Sequence, residues 1–175
     1  PIDVVVSGIN SGENMGVDVY YSGTVAAARE AVMNGIQGLA VSLSSKDPDA
    51  DYGPAARLAL KYARLLLAHP LPSGTLLNMN VPLLPREQLR GERFTRLGHR
   101  LYAEGIDRRV TPFGQTYFWL NCANMSYKPL DGSDLDAVAE GYVALTPVKL
   151  DATDYGALEG LVSAASDRDE FVPVG

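Results

Sequence analysis

Asn10 and the run Ser22-Gly23-Thr24 are the residues of this chain whose types and spacing could do chemistry. Ser22 can cap a helix with its hydroxyl, and Gly23 lets a ligand come close to the backbone. The N–H groups of Gly23, Thr24 and Val25 would then point along the positive end of the helix dipole, toward an anion. The Thr24 hydroxyl adds another donor. Asn10 offers a neutral amide oxygen, which a hard divalent cation accepts as one ligand among carboxylates and waters. Together these features point to a phosphate. Taken singly, Ser-Gly-Thr also reads as a plain cap and Asn10 as a plain turn residue, and spacing alone leaves both readings open.

These residues need a strand, a loop and a helix to hold them. Ile2 to Ser7 is a β-branched run of the kind that forms a parallel strand buried on both faces. Gly8 to Tyr21, with Gly8, Gly12, Gly16, Asn10 and Asn14, has loop composition. From Gly23 to Asn34 the spacing of Val25, Ala28 and Val32 predicts a helix, ended by Asn34-Gly35. Gly38 to Leu43 predicts a second strand and hence a βαβ unit. A helix from Pro54 to about Ala68, with Ala55, Leu58, Ala59, Tyr62 and Leu65 inward, and a strand from Thr75 to Val81 complete the first half.

Beyond Pro85 the texture changes. Arg93 to Tyr102, Arg108 to Thr111 and Gln115 to Asn121 read as short β segments. Asp134 to Glu140 predicts a short helix, Tyr142 to Val148 a strand, and Ala157 to Ala165 a final helix. The fold class expected is α/β: a parallel Rossmann-like sheet flanked by helices, with a β-rich C-terminal extension. We divide the chain into a nucleotide- or phosphate-binding core over 1–85 and an extension over 86–175 that serves as an oligomerisation arm and returns to the core.

Whole-chain numbers exclude several classes. A formal charge of −6 argues against a sequence-independent grip on long nucleic acid. No apolar run approaches the roughly 20 residues a membrane span needs, and no secretory signal is visible. Cys122 is the single cysteine, so no intrachain disulfide forms and a cytoplasmic location is expected. The chain enters a buried strand almost at Pro1, which leads us to expect an upstream part.

Other polar residues read more plainly. Glu13 is expected to be a solvated surface charge, and Asp18 to fix the glycine-rich loop through backbone N–H groups. His69 suits a helix end, His99 partner contact or exposure, and Arg108-Arg109 a solvated turn. Tyr117-Phe118-Trp119 reads as a packed strand at an interface. Asp131, Asp134 and Asp136 match a calcium loop only superficially. A dinucleotide fold is disfavoured, because GxGxxG spacing is not met after Ser7.

The segment Val6-Ser-Gly-Ile-Asn10, with Gly12, Asn14, Gly16, Asp18 and Tyr21-Ser-Gly-Thr-Val25, resembles the stationary-phase survival protein SurE family. The likeness continues through Ile36 to Ser42, Gly53 to Ala56, Leu77 to Pro82 and Gly141 to Pro147. The resemblance implies a metal-dependent phosphohydrolase acting on nucleoside 5′- or 3′-monophosphates, with polyphosphate as a further substrate. It implies one divalent ion, Mg²⁺ or Mn²⁺, with Asn10 matching a metal ligand and Ser22, Gly23 and Thr24 the phosphate-contacting turn. It also implies arms that swap between subunits of a homodimer or homotetramer. The family's Asp-Asp pair and a serine ligand belong to an N-terminal segment this chain lacks, so neither a catalytic acid nor a base is assigned. The alternative is a noncatalytic anion-binding and oligomerisation module.

Overall fold

The computed structural model describes residues 1–102, 105–120 and 125–166. Three parallel strands form its frame: β1 (Val4–Ser11), β2 (Gln37–Ser44) and β3 (Thr75–Pro82). Helix α1 (Gly23–Met33) crosses from β1 to β2, and α2 (Gly53–Ala68) from β2 to β3. The helices cover opposite faces. On one, Ala55, Ala59, Tyr62 and Leu66 of α2 pack on Leu39, Val41, Leu77 and Met79. On the other, Val25, Ala28 and Val32 of α1 pack on Ala40 and Leu76. Leu65, expected inside, is exposed, and Leu66 takes its place in the core. The small residues of α1 matter here, because a Cβ at Gly38 would collide with the Ala28 carbonyl. Only glycine allows so close an approach of helix to strand.

Strand β1 runs four residues past its expected end. Its pairing with β2 goes from Ser7 opposite Ala40 to Asn10 opposite Ser42, so β1 spends one extra residue there. Gly8, at φ +120°, makes this bulge possible, since a Cβ would strike the Val41 carbonyl. The bulge carries the strand on to Asn10.

The sheet continues with β9 (Val143–Lys149) antiparallel to β3, and β4 (Glu92–Phe94) parallel to β9. The sheet order is thus β1-β2-β3-β9-β4. The β segment expected from Arg93 to Tyr102 divides in two: β4 joins the main sheet, while β5 (His99–Tyr102) pairs with β8 (Met125–Lys128). A separate hairpin joins β6 (Ile106–Val110) to β7 (Thr116–Leu120). Asn121 and Cys122 lie outside the described residues. Helix α3 (Asp134–Ala139) precedes β9, and α4 (Tyr155–Ser166) follows it. Among the described residues, no helix is long and apolar enough to cross a membrane.

Candidate phosphate-binding site

The N-terminus of α1 presents its donors outward. Ser22 caps it, its hydroxyl accepting from Val25 N–H at 3.2 Å. Its own N–H donates to the Asp18 carbonyl at 3.0 Å, which pins the cap to the preceding turn. The N–H groups of Gly23 and Thr24, and the Thr24 hydroxyl, meet no partner among the described residues. Gly23 is exposed, and a Cβ there would meet nothing within 4 Å. Packing therefore does not require glycine at this position. Open space in front of unused donors is what an anion needs.

Asn10 stands at the end of β1, half-buried. Its Nδ2 donates to the Gly12 carbonyl at 2.8 Å and more loosely to Ser11. That leaves Oδ1 without a donor among the described residues, so it is available to a cation. It is one neutral oxygen. No cluster of three or more His, Cys, Asp or Glu able to hold a metal occurs among the described residues. A hard divalent ion needs several oxygens, so these residues fit one part of a metal shell and not a whole one.

Between Asn10 and Ser22 the loop is fastened on three sides. Beneath it, Asn78 and Asn80 of β3 both donate to the Asn14 carbonyl, at 2.8 and 3.1 Å. Asn80 Oδ1 accepts from Asn14 N–H at 2.8 Å, and the Asn14 side chain donates to Ser42 Oγ at 2.7 Å. From β5, the buried Arg100 pairs with Glu13 at 3.2 Å and Asp18 at 3.1 Å. From α3, buried Asp134 accepts from Gly16 N–H at 2.9 Å and Gly98 N–H at 2.8 Å. Gly16 and Gly98 touch backbone to backbone there, since a Cβ on Gly16 would lie 2.7 Å from the Gly98 oxygen.

The electrostatics follow from this fastening. Burial alone would raise the Glu13 carboxyl, but its own backbone N–H, Arg100 and Ser44 outweigh that and hold it below the usual range. Glu13 is therefore not the solvated charge its place in a polar loop suggested. Burial raises Asp18 instead, against the pull of Arg100 and the Met15 amide and with a push from Glu13. Burial likewise raises Asp134, against the backbone N–H groups that favour its charged form.

The Survival protein SurE family model matches residues 1–104, more than half of the chain. The chain belongs to the SurE family. It is 46% identical over 156 residues to 5′-nucleotidase SurE of Geotalea daltonii, covering 89% of this chain and 63% of that protein. Identity with 5′-nucleotidase SurE of Symbiobacterium thermophilum is 48% over 159 residues, or 91% of this chain and 62% of the relative. The crystal structure of the SurE protein from Aquifex aeolicus superposes with a TM-score of 0.76 at 34% identity, covering 91% of this chain and 64% of that one. The chain thus spans less than two thirds of the length of these relatives.

In this SurE-family chain, the structure puts Asn10 and Ser22–Thr24 at the two ends of one loop, at the carboxyl end of β1 and the amino end of α1. Sequence reasoning missed the part that Arg100, Asp134 and the Asn78–Asn80 pair play in fastening this loop. The last left a signal: two amides at alternate positions of an otherwise apolar run, Leu76-Leu77-Asn78-Met79-Asn80-Val81. Arg100 left none, because its partner Glu13 lies 87 residues away.

Proposed function

We propose that this chain forms the phosphate-facing part of a SurE-type nucleotidase, which releases phosphate from nucleoside 5′- or 3′-monophosphates. The observation that carries the reading is the pair of unused N–H groups at Gly23 and Thr24, with the Thr24 hydroxyl, opening onto free space at the amino end of α1. Such donors stabilise charge on phosphoryl oxygens, and they stabilise it more as it grows in the transition state. The names of the relatives supply the substrate class.

A divalent ion, Mg²⁺ or Mn²⁺, would polarise the phosphoryl group and lower the pKa of a bound water. Asn10 Oδ1 is the oxygen this chain offers it, with anionic ligands contributed from outside the described residues. The chain's own part is to bind and orient the phosphate at Ser22, Gly23 and Thr24. The division into a core over 1–85 and an arm over 86–175 belongs to the same reading, as does assembly into a homodimer or homotetramer through the arm. Cytoplasmic location and action on polyphosphate are also part of it.

A second reading is favoured by one observation, the lack of a three-carboxylate or histidine cluster among the described residues. On it, these 175 residues bind anions and assemble but do not hydrolyse. Phosphate release from a panel of nucleoside monophosphates, with Mg²⁺, Mn²⁺ or chelator, separates the two. We expect metal-dependent release by the protein, and no release under any of these conditions would favour the second reading. In that protein, Thr24→Val should cost about 1.5–3 kcal/mol of phosphate affinity, the worth of a hydrogen bond to a charged group. Asn10→Ala should raise the metal concentration needed for half-maximal rate. Unchanged values in both variants would remove these residues from the site.

A further inference from the structure

Strand β3 is buried at every position from Thr75 to Pro82, yet it carries two asparagines on one face. A strand buried on both faces ordinarily runs apolar, and a buried amide is costly unless its groups are paired. Here the two side-chain amides converge on a single acceptor, the Asn14 carbonyl. Asn80 also accepts from Asn14 N–H, so both backbone groups of Asn14 are held from below. Asn78 is less fully satisfied: its Oδ1 is buried and has no donor among the described residues.

That orphan acceptor is the informative feature. Were Asn78 present only for stability, an apolar side chain of similar shape would serve better, since it would remove an unpaired buried group. What an apolar residue could not do is grip the Asn14 carbonyl. Asn14 lies on the loop between Asn10 and Ser22, and the same loop carries Gly12 bonded to the Leu43 carbonyl at 2.9 Å.

We infer that Asn78 and Asn80 are positioning residues that hold the loop through Asn14, and so set Asn10 relative to the Ser22–Thr24 end of α1. The kinetic half of this inference rests on the nucleotidase reading above; the structural half does not.

The decisive variant is Asn78→Leu in the intact protein, compared with wild type by melting temperature, hydrogen exchange and kinetics. The expected result is a melting temperature equal to or above wild type, with exchange faster at the bonded loop amides between 12 and 22 and unchanged in β2 and β3. Affinity for inorganic phosphate and kcat/KM for a nucleoside monophosphate should fall on the order of tenfold or more, as misplaced groups do. Loop exchange and kcat/KM equal to wild type would overturn the inference, as would a lower melting temperature with the kinetics of the folded protein intact. If Asn78→Leu does not fold, Asn78→Ser is compared with wild type in the same way: faster loop exchange with weaker kcat/KM supports positioning, and wild-type values of both overturn it. If wild type itself releases no phosphate, the nucleotidase reading fails, and exchange alone decides: unprotected loop amides in the variant support positioning, and unchanged ones overturn it.

Discussion

Gly23 is a residue whose role can be separated from folding. No neighbour lies within 4 Å of where its Cβ would stand, and its φ is not in the left-handed region. Alanine should therefore be accepted there and should raise stability by up to about 1 kcal/mol, because glycine loses more freedom on ordering. The added methyl would project into the space before the Gly23 and Thr24 donors. Gly23→Ala should thus melt higher and bind inorganic phosphate more weakly, as titration calorimetry would show. A higher melting point with full phosphate affinity would mean that no anion comes close to Gly23. The helix cap at Ser22 was legible at this scale, because a serine before a helical run states its own chemistry. Asn78 and Arg100 were not, because their roles are defined by residues far along the chain.

At the scale of elements, Arg100 fastens β5 to the glycine-rich loop. Its guanidinium is shared by Glu13 and Asp18, and all three side chains are largely out of water. Arg100→Met would leave two carboxylates facing each other, at a cost of about 3 kcal/mol. Chemical denaturation would measure that loss, and exchange at the loop amides would locate it. A loss of less than about 1 kcal/mol would show that the pair is worth no more than an exposed one.

The same contact gives a pH dependence of known sign. Glu13 is held below its ordinary pKa, so the folded state binds its proton less tightly than the unfolded chain does. Its contribution is complete above the unfolded carboxyl value and is lost as pH falls through the depressed one. Asp18 is shifted upward and runs the other way, its ionised form opposing folding as pH rises through its range. Glu13→Gln should therefore flatten the acid side of a stability–pH curve measured by urea titration. An unchanged acid limb would assign that limb to other carboxylates. The bulge in β1 belongs to this scale too. Gly8 read as the start of a loop because glycine marks loops and bulges alike, and only the pairing with β2 distinguishes them.

At the scale of the molecule, two textures stand side by side. The β1-β2-β3 frame and its two helices were legible, because β-branched runs and helical spacing alternate cleanly there. The rejoining of β4 to the main sheet was harder to see, since a three-residue strand carries almost no pattern. Away from the sheet, the β6–β7 hairpin displays Ile106, Val110, Phe113, Phe118 and Trp119, with Phe113 93% exposed. An isolated hairpin is marginal in water, and we propose these exposed apolar groups as the contact surface of the assembly reading. Phe118→Ser with Trp119→Ser should shift the sedimentation of the protein toward a smaller species while leaving the melting temperature of the sheet and its helices unchanged. Identical sedimentation would show that assembly, if it occurs, uses another surface.

The chain's one tryptophan sits on that hairpin. Trp119 is 57% exposed, with the Arg109 guanidinium 5.8 Å from its ring, and it is no part of the packed clusters on either face of the sheet. Indole emission from this protein is therefore an optical probe of the hairpin and its surroundings. It would redden or quench when the hairpin changes company, and it would pass over the melting of the sheet almost silently. Unfolding of the sheet and helices is better followed by far-ultraviolet circular dichroism, and a gap between the two curves would time the hairpin against the main sheet.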